Sequence, residues 1–444
     1  VPALASGLWP LACLALVALV ALVALPLAAA DRPMTLTEVV ELARGVSPRV
    51  AQLKSLELAA REGERGALAG RMPVLDLSAG YTRNSDVPEF AAGLPGSQIV
   101  IFPNIPDNYR ARAAASLPLY TGGRVTSQID AAQSYVTAAG EDIVAGDRDA
   151  ALEAASAYWS LATALETDRV LTAALASYEQ HLADAKNRVD LGFAARNELL
   201  AVQAERDRAE LQRLRARNSA ATANANLLRI LNLAAGTTIV PADPVESVAA
   251  APADIEPLVT EALEARAELK SLRARVAAAD SSASTARASR LPQAALAAAY
   301  DYASPNQKIL PMTDAWEDTW SVGVGVSWTA FDGGRSSAAE AKARAEAEAL
   351  RRYVEDVELR IRLEVTQRAL DLETSIAAVS VSKRGLEAAQ ENERVSRDRY
   401  REGVLSSSDL LDAETQTLRS GLDLAVTQGQ LRVAEAQLAR ALGR

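Results

Sequence analysis

The sequence predicts a mainly α-helical fold with a smaller β part, built from one helix–strand–strand–long helix–helix unit used twice. Three observations carry this. First, landmarks recur in the same order in the two halves of the 444-residue chain. Arg71-Met72-Pro73 with Tyr81 returns as Arg290-Leu291-Pro292 with Tyr300, Gly122-Gly123-Arg124 as Gly333-Gly334-Arg335, and Gly192 with Leu199-Leu200 as Gly403 with Leu410-Leu411. Such ordered repetition is the mark of a duplication. Second, the separation of Gly123 from Gly192 equals that of Gly334 from Gly403, which leaves room in each half for a helix of roughly 100 Å. Third, a few short segments alternate apolar with small or polar residues, the period of a strand.

Each half follows the same order. A helix comes first, over 35–70 and 257–289. Arg-x-Pro stops it, because proline disfavours helix in the residue before it. A strand follows at Val74–Arg83 and Gln293–Tyr302, then a loop at Asn84–Asn108 and Ala303–Asp318. The second strand, Tyr109–Tyr120 and Thr319–Phe331, runs into Gly-Gly-Arg. The long helix is next, ended by Gly192 or Gly403, and a last helix over 197–231 or 408–442 closes the half. In the second long helix Leu350, Val354, Val357, Ile361, Val365, Leu372, Ile376 and Val379 recur mostly at threes and fours, as one helix face does. The domain reading is therefore a first repeat over 31–232, a Pro-rich linker over 233–257 and a second repeat over 258–444.

Composition narrows the function. The formal net charge is −10, so no general nucleic-acid footprint exists. Aromatics are 4%, which suits long helices packed through small residues. The chain has one cysteine, Cys13, and one histidine, His181. Thiol nucleophiles, disulfides and Cys/His metal clusters are thereby excluded from the rest of the chain. No nucleophile–base pair stands out either, so neither an enzyme nor a cofactor is expected. His181 lies in a polar stretch of the first long helix and reads as a surface residue. Residues 1–30 carry no charge and end in Ala28-Ala29-Ala30 before Asp31. They read as a secretory signal, with a retained membrane anchor as the alternative; Cys13 bears a faint likeness to a lipidation site.

The strands say where the β part belongs. In the second strand of the second half Trp320, Val322, Val324, Val326 and Trp328 alternate with Ser321, Gly323, Gly325 and Ser327. One face is apolar with an aromatic at each end, and nine residues span roughly 30 Å. That suits the lipid-facing band of a membrane β-barrel. In the first strand Leu75, Leu77, Ala79 and Tyr81 oppose Asp76, Ser78, Gly80 and Thr82. A soluble half-buried sheet gives the same alternation; the apolar leader, the long helices and the duplication favour the barrel. Open edges do not survive in lipid, so the strands must close with copies from other chains. Three copies give twelve strands, whereas two give eight and almost no lumen.

Taken together, Arg71-Met72-Pro73 with Tyr81, Tyr120-Thr121-Gly122-Gly123-Arg124, Phe331-Asp332-Gly333-Gly334-Arg335, and Tyr400-Arg401-Glu402-Gly403 with Asp409-Leu410-Leu411-Asp412-Ala413 resemble the TolC-type outer-membrane efflux family. The resemblance covers nearly all of 35–443. It implies a homotrimer with a 12-stranded β-barrel in the outer membrane and an α-helical tunnel across the periplasm. The 233–257 linker would then be the equatorial region. A periplasmic adaptor and an inner-membrane pump are the implied partners, with outer-membrane lipid around the barrel and no nucleic acid. The implied activity is that of an exit duct in a tripartite efflux or type I secretion system.

The resemblance also implies roles for particular residues. Leu191, Gly192, Phe193 and Ala194, and Gly403, Val404, Leu405 and Ser406, fall at the tips that contact the adaptor. Asp409 and Asp412 share one helix face and fall at the entrance, where three copies form acidic rings. Tyr400, Asn197 and Glu198 fall where the closed entrance is tied together. The usual basic residue two positions after the glycine is Leu405 here, which leaves Arg399 or Arg401 as substitutes. Gly122, Gly123, Gly333 and Gly334 turn strand into helix. Trp316 and Trp320 mark the membrane interface. The rival reading is a periplasmic structural or adaptor coiled-coil protein without a channel; it accounts for the helices but not for the paired strands.

Overall fold

A computed structural model describes residues 31–94, 96–246, 250–251 and 253–444. The secretory-signal segment and Cys13 lie outside the described residues. In chain order the elements are β1 (Asp31–Met34), α1 (Leu36–Val46), α2 (Pro48–Ala69), β2 (Val74–Arg83), β3 (Phe90–Leu94), β4 (Ser97–Phe102), β5 (Asp107–Tyr120), α3 (Arg124–Asp190) and α4 (Arg196–Ile230). Then come β6 (Thr238–Pro241), α5 (Glu256–Ala265), α6 (Ala267–Ala288), β7 (Gln293–Ser304), β8 (Glu317–Ser327), α7 (Arg335–Arg401) and α8 (Ser407–Ala441). The two long helices, α3 and α7, have 67 residues each, and α4 and α8 have 35 each. At about 1.5 Å per residue α3 and α7 each run about 100 Å.

The chain divides into two compact units. Among the described residues, one comprises 31–51, 146–265 and 361–444. Its main core gathers Met34, Val39, Tyr158, Trp159, Leu161, Leu227, Leu231 and Ile239. A second cluster joins Leu171, Leu175 and Tyr178 of α3 to Val202 of α4 and Leu411 and Leu418 of α8. Close approach in this unit depends on glycine: a Cβ on Gly429 of α8 would sit 1.9 Å from the Thr163 hydroxyl of α3. β1 pairs in parallel with β6, so the segment predicted as a plain linker carries a strand. Tyr158 ties this pair down: its hydroxyl lies 3.1 Å from the Met34 carbonyl and 3.0 Å from Asp243 Oδ2, and it accepts from the Asp243 amide.

The other unit comprises residues 52–145 and 266–360. It holds a four-stranded antiparallel sheet in the order β2–β5–β7–β8 and the separate β3–β4 hairpin. Salt bridges and hydrogen bonds link the helices here, as between Arg273 and Glu358 at 2.9 Å, Arg275 and Asp142 at 2.6 Å, and Ser271 and Asp142 at 2.6 Å.

Three expectations need correcting. Each opening helix is two helices, broken at Ser47 and again at Arg266. Ser47 precedes Pro48 and has extended backbone, as a residue before proline prefers. Arg266 occupies the repeat-equivalent position with no proline after it; the backbone break is duplicated although its local cause is not. The first loop, expected to be irregular, folds its apolar run Ile99–Phe102 into the β3–β4 hairpin, and the Met312 amide of the second loop donates to the Ile101 carbonyl at 3.1 Å. Finally, β8 ends at Ser327, so Trp328 lies just beyond the strand, where its indole N–H donates to the Arg290 carbonyl at 3.1 Å.

Candidate functional site

The sheet sorts its side chains into two faces. Register aligns Leu77, Ala113, Tyr300 and Trp320 in one row across the four strands, and Leu75, Ala115, Ala298 and Val322 in the next. These rows lie on one face because every second residue points the same way. Leu75, Leu77, Trp320, Val322, Val324 and Val326 are all exposed in the single chain. Intervening rows hold Asp76, Ala114, Ala299 and Ser321, then Ser78, Arg112, Asp301 and Thr319. The contrast predicted from β2 and β8 thus extends across the sheet. β2 and β8 are its unpaired edges.

Aromatics gather at the loop end of the apolar face. Tyr302 stacks on Trp316 at 4.8 Å between ring centroids, and Tyr109 lies 6.0 Å from Trp316 and 5.0 Å from Tyr81. The small face holds one buried charge that the sequence did not reveal. Asp301 accepts from Arg110 at 2.6 and 3.0 Å and from Lys308 at 2.9 Å.

The helix tips belong to the other unit and are built alike. Gly192 has φ +80° and Gly403 φ +75°, a left-handed conformation that favours glycine. The Gly192 amide donates to Val189 and that of Phe193 to Arg188; the Gly403 amide donates to Tyr400 and that of Val404 to Arg399. These are paired Schellman closures, which satisfy the last carbonyls of α3 and α7. Leu191 is 70% exposed, Phe193 81% and Val404 65%, so both turns present apolar side chains outward. Leu405 and Ala194 are half-buried, and Ser406 is exposed. Ser406 caps α8: its hydroxyl accepts from the Asp409 amide at 3.2 Å and donates to the Asp409 carboxylate at 2.7 Å. Ala195, at the start of α4, makes no such bond.

Around the second tip lies a buried polar cluster. His181 Nδ1 is 2.8 Å from Glu414 Oε2, and its Nε2 is 3.0 Å from the Ser407 hydroxyl. Glu414 Oε1 accepts from Ser177 at 3.0 Å and lies 3.4 Å from Arg397. The His181 and Glu414 side chains are 1% and 3% exposed. Tyr400 is buried beside them, with its ring edge-on to His181 at 5.2 Å. Arg188 stacks over the Tyr400 ring at 4.1 Å and donates to the Tyr400 carbonyl. Burial pushes the Tyr400 hydroxyl above its ordinary range, and Arg188 partly opposes this.

One expectation changes here. His181 is not a surface residue; a run of polar neighbours in sequence concealed a position facing α7 and α8. The sequence did not single out Arg188 of α3, the cation over Tyr400. Asn197 is exposed and Glu198 half-buried, and neither hydrogen-bonds Tyr400. Asp409 and Asp412 are both exposed on α8. Only the Glu414 spacing from Ser407, two helical turns, could have flagged the cluster in advance.

Comparison with known proteins now decides the class. The sequence pattern described as Outer membrane efflux protein matches residues 39–233 and 258–444. The chain belongs to the outer membrane efflux protein family. Its relatives include outer membrane efflux protein BepC of Brucella suis biovar 1 (strain 1330), 23% identical over 326 residues, 73% of this chain and 70% of that protein. Among solved structures, CusC superposes with a TM-score of 0.79 at 19% identity over 92% of both chains. VceC of Vibrio cholerae gives 0.77 at 20% identity over 92% of this chain and 96% of its own. MtrE of Neisseria gonorrhoeae gives 0.74 at 19% identity over 92% and 88%. The chain therefore has the barrel-and-helical-tunnel fold of TolC-type channels, and the family places it in the bacterial outer membrane. These efflux proteins are passive channels and not enzymes.

Proposed function

We propose that this efflux-family chain forms a homotrimeric exit duct, in which the sheets of three copies close into one twelve-stranded barrel. The observation that carries this reading is the sheet itself: an apolar face, an opposed face of small and polar residues, and two unpaired edges. Edges stay out of lipid only when they are paired. The apolar rows, Trp320, Val322, Val324 and Val326 among them, face lipid, with Trp328 at the interface. The Ser and Gly rows line the lumen. Gly122, Gly123, Gly333 and Gly334, all at positive φ, turn the strands into α3 and α7.

The repeats at 31–232 and 258–444, joined through 233–257, each supply half of a protomer's wall. The outward apolar side chains of the two tips, Leu191 to Ala194 and Gly403 to Ser406, fit an adaptor that couples the duct to an inner-membrane pump. Tyr400 with Asn197 and Glu198 borders the entrance, and Asp409 and Asp412 from three copies give it six carboxylates. Such a ring favours cations. Purified trimer in a planar bilayer tests this: wild type conducts with cation preference and is blocked by divalent cations, and Asp409→Ala with Asp412→Ala loses both properties. A conducting double variant with unchanged selectivity and block sinks the acidic ring. Recovery of adaptor and pump with the tagged trimer, as against a type I exporter, decides which system it serves.

A further inference from the structure

We propose that the loop after β7 is an inward strap that narrows the outer mouth of the duct, and that Asp301 positions it. This rests on the reading of the small face as the lumen wall. The loop lies at the end of the sheet away from the Gly-Gly-Arg turns, since Gln293 at the start of β7 pairs with Ser327 at the end of β8. It folds back over the strands. Asn306 Nδ2 donates to the Glu317 carbonyl at 3.0 Å and to the Thr319 hydroxyl at 3.3 Å, and Lys308 Nζ reaches Asp301 at 2.9 Å. Asp301 and Thr319 share one row of the small face. Residues 305–308 therefore lie on that face and not on the apolar one.

Burial marks how far the strap extends. Asp301 is 3% exposed and Ala303 9%, although the sheet is open in the single chain. On the same face of β8, Ser321, Gly323 and Gly325 are exposed, so the cover is confined to the outermost rows. A carboxylate closed off from water needs charged or hydrogen-bonding partners. Asp301 has Arg110 and Lys308 in contact and Arg112 at 3.7 Å. Arg110 stands on β5 and Lys308 on the strap, so one carboxylate of β7 ties the strap down across two strands. The return limb is held as well, by the Met312 amide on the Ile101 carbonyl. Gln307, between Asn306 and Lys308, is exposed at the tip. A barrel of about eight strands is filled by its own side chains, and one of about sixteen leaves a wide aqueous channel. Twelve strands fall between, so one layer of chain from each of three copies takes up much of the opening. The straps thereby set the size of cargo that leaves.

The test is labelling from outside intact cells. Ser327→Cys places a thiol on the small face, roughly 25 Å along β8 from Thr319. Water-soluble maleimides bearing polyethylene glycol of graded length are the probes, and the chain without the added cysteine gives the background. The intact strap is expected to exclude the longer reagents. Asn306→Ala with Lys308→Ala removes both side-chain ties without changing a strand residue. A reagent shut out before should then label at least about tenfold faster, since passage follows pore diameter. Gln307→Trp adds bulk at the tip and should lower the size limit. Trimer bands on unheated gels establish that each variant assembles. A limit left unchanged in either assembled variant overturns the strap while leaving the duct intact, as does equal labelling of Ser327→Cys by every length. Short reagents that label Val326→Cys, on the apolar face, as fast as Ser327→Cys overturn the lumen assignment and the strap with it.

Discussion

Tyr158 carries more of the structure than its surroundings in sequence suggest. It is fully buried between β1 and Asp243; its hydroxyl accepts from the Asp243 amide, and its one proton is shared between the Met34 carbonyl and the Asp243 carboxylate. Tyr158→Phe leaves the part-buried Asp243 amide without its acceptor and should cost about 1–3 kcal/mol, read as a lower midpoint in denaturant. Burial also pushes the hydroxyl up to about 12, from an ordinary value of 10. Below pH 10 the phenol is neutral in both the folded and the unfolded chain. Between about pH 10 and 12 it ionises in the unfolded chain first, so its contribution is lost as pH rises through that window. Wild-type stability should therefore fall more steeply than that of Tyr158→Phe over this range. Parallel slopes in paired melts would remove Tyr158 as the cause.

At the scale of elements, glycine marks a place where α8 lies close against α3. Alanine is ordinarily better than glycine inside a helix by about 1 kcal/mol. Gly385 of α7 has no atom within 4 Å of an added Cβ, so Gly385→Ala should stabilise by up to that amount. Gly429→Ala should instead destabilise by about 1–3 kcal/mol, since its Cβ would overlap Thr163. The same substitution thus changes sign between the two helices, and thermal melting of both variants checks it. Equal shifts would mean that α8 and α3 yield at this contact without cost.

At the scale of the whole molecule, the proposed barrel puts the sheet in the outer membrane. No described helix is long and apolar enough to cross a bilayer. In the proposed barrel the apolar face of the sheet meets lipid. A lysine at Val324 puts a charge on this face and should cost about 2–4 kcal/mol near the bilayer midplane. Gly323→Ser, one residue away on the small face, should be tolerated. Comparing heat-resistant trimer in outer-membrane fractions separates the two; equal losses would show that the faces have been assigned wrongly.

The sequence by itself determined the duplication, the long helices with their glycine ends, and the faces of β8, because each rests on local chemistry. A residue before proline leaves the helix, a glycine takes positive φ, and alternation follows the strand period. Gly192 and Gly403 were legible for that reason, as were the strand limits at Val74–Arg83. Tertiary structure decided what depends on neighbours far apart in the chain. Glu414 lies more than two hundred residues from His181, and nothing near either one in sequence announces the other. The same holds for Asp301 with Arg110, for Arg188 over Tyr400, and for β1 beside β6. A buried charge or hydroxyl is set by what packs against it, and packing is a property of the folded helices rather than of any stretch of the chain.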